Sequence, residues 1–420
     1  MLECWKGVWM RTLNTQHSSL NPILAWLLLV VLGCLPTLAA EGPKPRPIDP
    51  PSAEQLRQAI ERGVDFLLET QFAHGAWGSI DSKKAYRIYS PMPGAHLAYR
   101  TAVTSLATMA LLESRQQLQG ERRTRVKSAL DRGQKWLLQH ADDLRRAAPD
   151  KLADQLGYTL YNIWGHAYAI QASTGLYQRA EGEQAEQLRN QLKGLIEYQV
   201  ERLARCTTIN GGWGYYDSKA RTKRPSDSSM TFTTATVLIA LQEAKAMGIE
   251  FPEKLTQAAV TSLQRGRLPD FSYLYGDYLR LRPRMDINRP AASLGRSQAC
   301  NLALRLGGDS RVTDEVLMTW LNRLYARNGW LSMARKGQTP HESHFAIAGY
   351  FYYYGHYYAA QCIEQLPADR QPYFQDHLSH ILLPLQEKDG SWWDFPMYNY
   401  HQQYGTAMAV SALVRCQHGE

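Results

Sequence analysis

Hydrophobic and polar positions along this chain recur with a helical period. Leu56, Ile60, Val64 and Leu67 fall at helical spacing, with Glu54, Arg57, Glu61 and Asp65 between them. That is the pattern of a helix with one wet face. A second kind of segment has almost no charge: Thr101 to Leu112, Thr231 to Leu241 and Gly405 to Leu413 are built mainly from Ala, Thr, Leu, Val and Met. A helix apolar all round is packed all round. No stretch sustains period-two alternation between hairpin turns, so sheet content is expected to be near zero.

The two helix types alternate through a repeat. Arg62 to Leu68 runs into Gln71-Phe-Ala-His-Gly75-Ala-Trp77, and Leu382 to Leu385 runs into Gln386-Glu-Lys-Asp-Gly390-Ser-Trp392. Both read as helix, Q-x-x-x-G-x-W, polar loop, second helix. Copies lacking the Gln occur at Gly211-Gly212-Trp213-Gly214 and Asn328-Gly329-Trp330. The tryptophans are 136, 117 and 62 residues apart, so each of the two long gaps hides a degenerate unit. One runs through Arg132 to Leu138 into Gly157 to Ser173, the other through Leu255 to Leu268 into Gly295 to Leu306. Six units of two helices follow. An open array would wet one face of its second helices. Their lack of charge favours closure instead, predicting an all-α fold, an α/α toroid with inner and outer helix rings around a central cavity.

In these repeats the chain resembles the terpenoid-cyclase and protein-prenyltransferase superfamily, and specifically its squalene-cyclase and prenyltransferase repeat proteins, over residues 52 to 418. The Q-x-x-x-G-x-W segments are similar to that family's QW motifs. A Gln at a helix end can bond backbone groups left unpaired there, Gly permits the turn, and Trp covers the junction. Trp77, Trp213, Trp330 and Trp392 are therefore expected to pack first and contact ligand second.

The chain ahead of the toroid is of another kind. Lys6 and Arg11 lead into the apolar stretch Ile23 to Leu35, followed by Pro36 and the small residues Ala39 and Ala40. Residues 1–40 read as a secretory signal peptide, with an uncleaved anchor or a lipid-bearing Cys34 as alternatives. The export would be periplasmic or extracellular. Residues 41–51 hold five prolines, an extended linker, and the toroid takes residues 52–420. Hydrophobic residues make up 44% of the 420 and charged residues 20%, ample for large cores. The net charge of +8 is spread without any run of five or six like charges, so nothing marks a nucleic-acid partner. Membrane association is expected only through the N-terminal segment. Cys206, Cys300, Cys362 and Cys416 are too far apart for a CxxC pair. They are expected as buried thiols, one bridge being the alternative.

Chemistry candidates are few. Triterpene cyclases of the family resembled start by protonation from a D-x-D-D-T cluster, and this chain offers only Asp227 in Pro225-Ser226-Asp227-Ser228-Ser229-Met230-Thr231. Asp227 is either a helix cap or an acid catalyst. The zinc set of the prenyltransferases is also missing: the matching spacing is Gln298-Ala299-Cys300, and Gln298 is no such ligand. No metal and no cofactor is implied.

His341-Glu342-Ser343-His344 is expected to open an inner helix with both histidines on one face, His344 being the neighbour of a cavity acid. The same helix is expected to carry Gly349 to Tyr358, with Tyr350, Tyr353 and Tyr354 among seven aromatics. Sparser sets are Tyr158, Tyr161, Trp164, His166 and Tyr168, and then Phe271, Tyr273, Tyr275 and Tyr278. Such faces hold isoprenoids, stabilise cations or stack on sugar rings. They equally fill a core. A third set, Trp392-Trp393-Asp394-Phe395 with Tyr398, Tyr400 and His401, either lids the cavity or closes the ring.

Two functions remain, with a non-catalytic scaffold behind them. An enzyme or carrier for an isoprenoid-like apolar ligand requires a deep apolar cavity with a buried acid. A carbohydrate-active or glycan-binding protein, polysaccharide-lyase-like, requires a wide polar cleft edged by Tyr, Trp, Arg and His.

Overall fold

A computed structural model describes residues 42–81, 93–144, 162–215, 228–337, 339–341 and 346–418. Among the described residues six outer helices alternate with six inner ones. The outer helices are α1 (Ala53–Thr70), α3 (Gly120–His140), α5 (Ala185–Arg205), α7 (Lys254–Gly266), α9 (Asp314–Ala326) and α12 (Gln371–Leu382). The inner helices are α2 (Pro93–Ser114), α4 (Asn162–Gln178), α6 (Thr231–Ala246), α8 (Leu294–Leu306), α11 (Phe351–Glu364) and α13 (His401–Arg415), with a short α10 (Asn328–Met333) between α9 and α11. Among the described residues strand pairing is limited to three isolated bridges.

Each inner helix packs against the next, α2 on α4, α6, α8, α11 and α13 in turn, and α13 returns to α2. The ring is closed, and the fold is an α/α toroid. The inner helices make this possible because they bury every side: all residues from Thr231 to Leu241 are buried. Several of their hydroxyls bond within the helix, as Ser105 Oγ does to the Thr101 carbonyl at 2.7 Å, so part of the polarity is hidden without charge. Small residues bring the helices close. A Cβ added at Gly355 of α11 would lie 2.5 Å from Gly295 Cα of α8.

Outer helices are fixed by the repeated turn. In the first unit Trp77 is fully buried. Its Nε1 donates to the Leu67 carbonyl at 2.7 Å, and its backbone N donates to Thr104 Oγ1 of the next inner helix at 3.1 Å. Gln71 Nε2 donates to the carbonyls of Gly75 and of Ala129 on the next outer helix, both at 2.9 Å. Gly75 has φ +98°, and a Cβ there would lie 2.3 Å from the Arg132 carbonyl; only glycine suits both demands. The last unit repeats this: Trp392 Nε1 to Leu382, Trp392 N to Thr406, Gln386 Nε2 to Gly390 and Ala59. Ala59 belongs to α1, so Gln386 closes the outer ring. Trp213 makes the same two bonds, to Leu203 and Thr234.

Two expectations are corrected. Trp330 is no copy of this turn: it sits on α10 with 43% of its surface exposed. The missing copy is Leu268 to Tyr273, where Phe271 takes the glycine position at φ +62° and Tyr273 N donates to Ser293 Oγ at 3.2 Å. Consequently Phe271, Tyr273, Tyr275 and Tyr278 lie in the connection from α7 to α8 and not on an inner helix. The four cysteines are buried and free.

Candidate functional site

The inner helices run in one direction, and their N-terminal halves surround a cavity of about 420 Å³. Tyr99 and Leu106 of α2, Trp164 and Tyr168 of α4, Phe232 of α6, Phe351 and Tyr354 of α11, and Tyr404 and Met408 of α13 form the wall. Helical periodicity explains the selection: Tyr99, Ala102, Val103 and Leu106 recur on one face of α2. The rings interlock, Phe232 meeting Phe351 edge-on at 4.8 Å and Tyr275 at 5.2 Å. Two of the tyrosine hydroxyls are bonded into the wall. Tyr354 donates to the Phe232 carbonyl at 2.9 Å, and Tyr404 donates to Asp394 Oδ1. The space is therefore lined mostly by carbon.

One sector is polar. Tyr215 bonds Tyr275 through their hydroxyls, Tyr275 bonds Tyr350 at 3.1 Å, and the Tyr350 hydroxyl lies 2.9 Å from His341 Nε2. His341 Nδ1 faces the Ala346 carbonyl at 2.9 Å, which can only accept, so Nδ1 carries the proton and Nε2 accepts from Tyr350. Burial lowers the His341 pKa, keeping the ring neutral. The chain thus has a direction: Tyr215 to Tyr275 to Tyr350 to His341. A ligand hydroxyl at the Tyr215 end could pass a proton along it.

Arg296 of α8 stands behind this chain. It is fully buried, and its guanidinium lies 5.7 Å from the centre of the Tyr275 ring. It bonds the carbonyls of Tyr273 and Ala292, each at 3.0 Å, and of Ile287. Burial lowers its pKa to about 10, which leaves it charged at neutral pH. That charge favours negative charge on an oxygen at the tyrosine cluster.

A buried acid lies one layer outward. Asp394 is fully buried; it accepts from Tyr404 and from the Tyr353 backbone N at 3.0 Å. Burial pushes its pKa up to about 7 against these bonds. Its neighbour Phe395 lines the cavity.

Of the residues singled out from sequence, Trp164, Tyr168, Tyr275, His341, Tyr350, Phe351, Tyr354 and Phe395 line the cavity. His341 does so from a loop at φ +61°; it does not open a helix, because α11 begins at Phe351. Tyr353 is buried away from the lumen, stacked edge-on against Tyr352. His166 faces outward, where Nδ1 meets Gln199 Oε1 of α5. Trp393 sits under Lys336 at 4.5 Å and beside His401. Tyr398 packs on His96 at 4.7 Å, next to the paired backbones of Ser79 and Asn399 that join the last connection to the first. Asp227, His344, Tyr158 and Tyr161 lie outside the described residues. Sequence reasoning missed Tyr99, Tyr215, Phe232 and Tyr404 as lining residues and Asp394 as an acid. The signal for Asp394 was its place in a Trp-Trp-Asp-Phe run, where a carboxylate has no water.

No protein-family model and no curated protein matches the sequence. Among solved structures the chain is similar to a D-mannose isomerase, with 13% identity over 90% of this chain and 99% of that one, at a TM-score of 0.51. It is also similar to a glycoside hydrolase family 76 mannosidase from Bacteroides thetaiotaomicron VPI-5482, with 10% identity over 86% and 98% and a TM-score of 0.49. At such identity the likeness to the isomerase shows the fold alone: this chain shares the helical toroid.

Proposed function

We propose that the protein is an exported toroid that holds, and by proton transfer can transform, a ligand with apolar faces in its central cavity. An isoprenoid-like chain with one oxygen function fits best. The observation that carries this reading is the lining: aromatic and aliphatic carbon throughout, with a single polar sector at Tyr215, Tyr275, Tyr350 and His341. A sugar there would leave most of its hydroxyls without partners, at about 1 to 3 kcal/mol each. The repeated turn at Trp77, Trp213 and Trp392 supports kinship with the squalene-cyclase repeat proteins; the comparisons add nothing to that kinship.

The comparisons support a second reading instead, that of a carbohydrate-active protein. The D-mannose isomerase shares the toroid over nearly its whole length. Pyranose rings also stack on aromatic faces. Titration calorimetry with farnesol and squalene against manno-oligosaccharides separates the two. The first reading expects the lipids to bind, and Leu106→Trp, which fills the cavity, to abolish binding. Oligosaccharide binding lost in the same variant, with no lipid binding, would replace it by the second. Asp227→Asn then tells a ligand-contacting acid from a helix cap.

A further inference from the structure

The opposite end of the ring holds another pocket, of about 230 Å³. The C-terminal halves of five inner helices wall it, through Glu113 of α2, Gln171 and Thr174 of α4, Glu243 of α6, Gln361 of α11 and Arg415 of α13. Here Glu113, Glu243 and Glu364 stand against two guanidiniums, those of Arg415 and, at the mouth, Arg179. Arg415 grips both oxygens of Glu113 through Nη1 and Nη2, and its Nε reaches Glu364 at 3.3 Å. Glu243 is left with the Gln171 amide, whose Nε2 donates at 3.0 Å.

The wall also holds unmet polar atoms. Gln171 and Thr174 are only 3% and 5% exposed, yet Gln171 Oε1 and Thr174 Oγ1 have no hydrogen-bond partner among the described residues, and neither has Gln361 Nε2. A buried polar group without a partner costs about 1 to 3 kcal/mol, so three in one wall point to an occupant. Helix C-termini carry partial negative charge, and five converge here with one carboxylate in excess. The pocket is too wide for a bare metal ion, and no group of three metal-ligating side chains comes together among the described residues.

We infer that this pocket binds a small organic ammonium compound bearing hydroxyls, of amino-alcohol or amino-sugar size. Its N–H groups meet Glu243 and Gln171 Oε1, and its hydroxyls meet Thr174 Oγ1 and Gln361 Nε2. The inference does not depend on what the central cavity takes.

Binding is then linked to pH. Around Glu243 stand Glu113 from α2, Arg179 at the mouth just after α4, Tyr357 from α11 and Arg415 from α13, with Glu364 on the far side of Arg415. Burial raises Glu243 to about 7, with Gln171 and Arg415 acting against it and Glu113 with it. Tyr357 is raised well above its usual range and stays neutral. A protonated Glu243 cannot pair with an ammonium, so affinity rises by about tenfold between pH 6 and pH 8 as the ionised fraction grows.

Calorimetry with glucamine, whose amine stays protonated across this range, against its neutral analogue sorbitol tests the inference. Glucamine is expected to bind at least tenfold tighter than sorbitol, with the pH rise stated. Glu243→Gln should remove both the preference and the rise while the chain stays folded, its unfolding midpoint at pH 8 no lower than that of the parent. Thr174→Val, which keeps the shape of the wall, should weaken glucamine severalfold and serves if Glu243→Gln does not fold. Leu106→Trp in the central cavity should change nothing. Equal binding of sorbitol, binding independent of pH, or binding of neither compound would overturn the inference.

Discussion

The two ends of one helix ring have solved the same problem, a buried carboxyl, in opposite ways. At the cavity end Asp394 is enclosed by donors that cannot leave: the Tyr404 hydroxyl and the Tyr353 backbone N. At the other end Glu243 has a single amide and sits beside an arginine committed to Glu113 and Glu364. Both acids are pushed up to about 7, chiefly by burial. The Asp394 end is filled with aromatic rings and supports a wall; the Glu243 end keeps polar atoms unmet. Burial alone therefore does not mark a binding site. What distinguishes the ends is whether the acid itself is already satisfied: Asp394 has a hydroxyl and a backbone N–H, whereas Glu243 has one amide beside an open pocket.

The largest effect that would break this contrast is expected at Arg415. Its exchange for Met strips Glu113 of its bidentate partner in a mostly buried place, and a buried charge left alone costs about 3 kcal/mol or more. The unfolding midpoint should fall steeply. A shift no larger than that of a surface substitution would show that the guanidinium is dispensable, and the polar end would lose its special standing.

The pH dependence comes next and sharpens the comparison. Asp394 rises from its ordinary 3.8 to about 7 on folding, so the folded chain binds more protons than the unfolded one between those values. Stability is then full below pH 4 and is lost as pH rises toward 7. At about 1.4 kcal/mol per pH unit, Asp394 accounts for about 4 kcal/mol by pH 8. Glu243, rising from 4.5 to about 7, accounts for about 3 kcal/mol. Asp394→Asn mimics the protonated acid, accepting from Tyr353 N and donating to Tyr404. It should flatten the larger part of the pH profile of denaturant unfolding, and Glu243→Gln the smaller part. A profile unchanged in both variants would remove the titration at either end.

Much of this architecture was legible because it rests on period and charge. The inner helices, poor in charge, implied a closed ring, and glycine followed by tryptophan marked three of the four observed turns. The fourth escaped because Phe271 adopts the left-handed backbone expected of glycine, and Tyr273 stands in for tryptophan. Asn328-Gly329-Trp330 misled for the converse reason, having the letters on a helix. Sequence pointed to His341 but placed it on a helix, since nothing in the letters announces a residue at φ +61°. The polar end was invisible as a unit: Glu113 and Arg415 are 302 residues apart. Their only trace was a charge near the end of each of two helices that are otherwise poor in charge.

The smallest effect tests the polar sector of the cavity. Tyr275→Phe removes the hydroxyl between Tyr215 and Tyr350 and leaves the ring that packs on Phe232 and His341. Loss of one such bond costs about 1 kcal/mol, a modest shift in unfolding midpoint. Its value lies elsewhere. With the chain cut, Tyr350 still donates to His341, but a proton entering at Tyr215 has no path to Nε2. A ligand held only by carbon should bind the variant as before, whereas one that anchors an oxygen at this sector should bind about fivefold more weakly. Farnesol measured beside squalene reads the difference directly. If both bind Tyr275→Phe unchanged, the tyrosine chain is packing; if farnesol alone weakens, the cavity orients its ligand by a single oxygen against the chain that ends at His341.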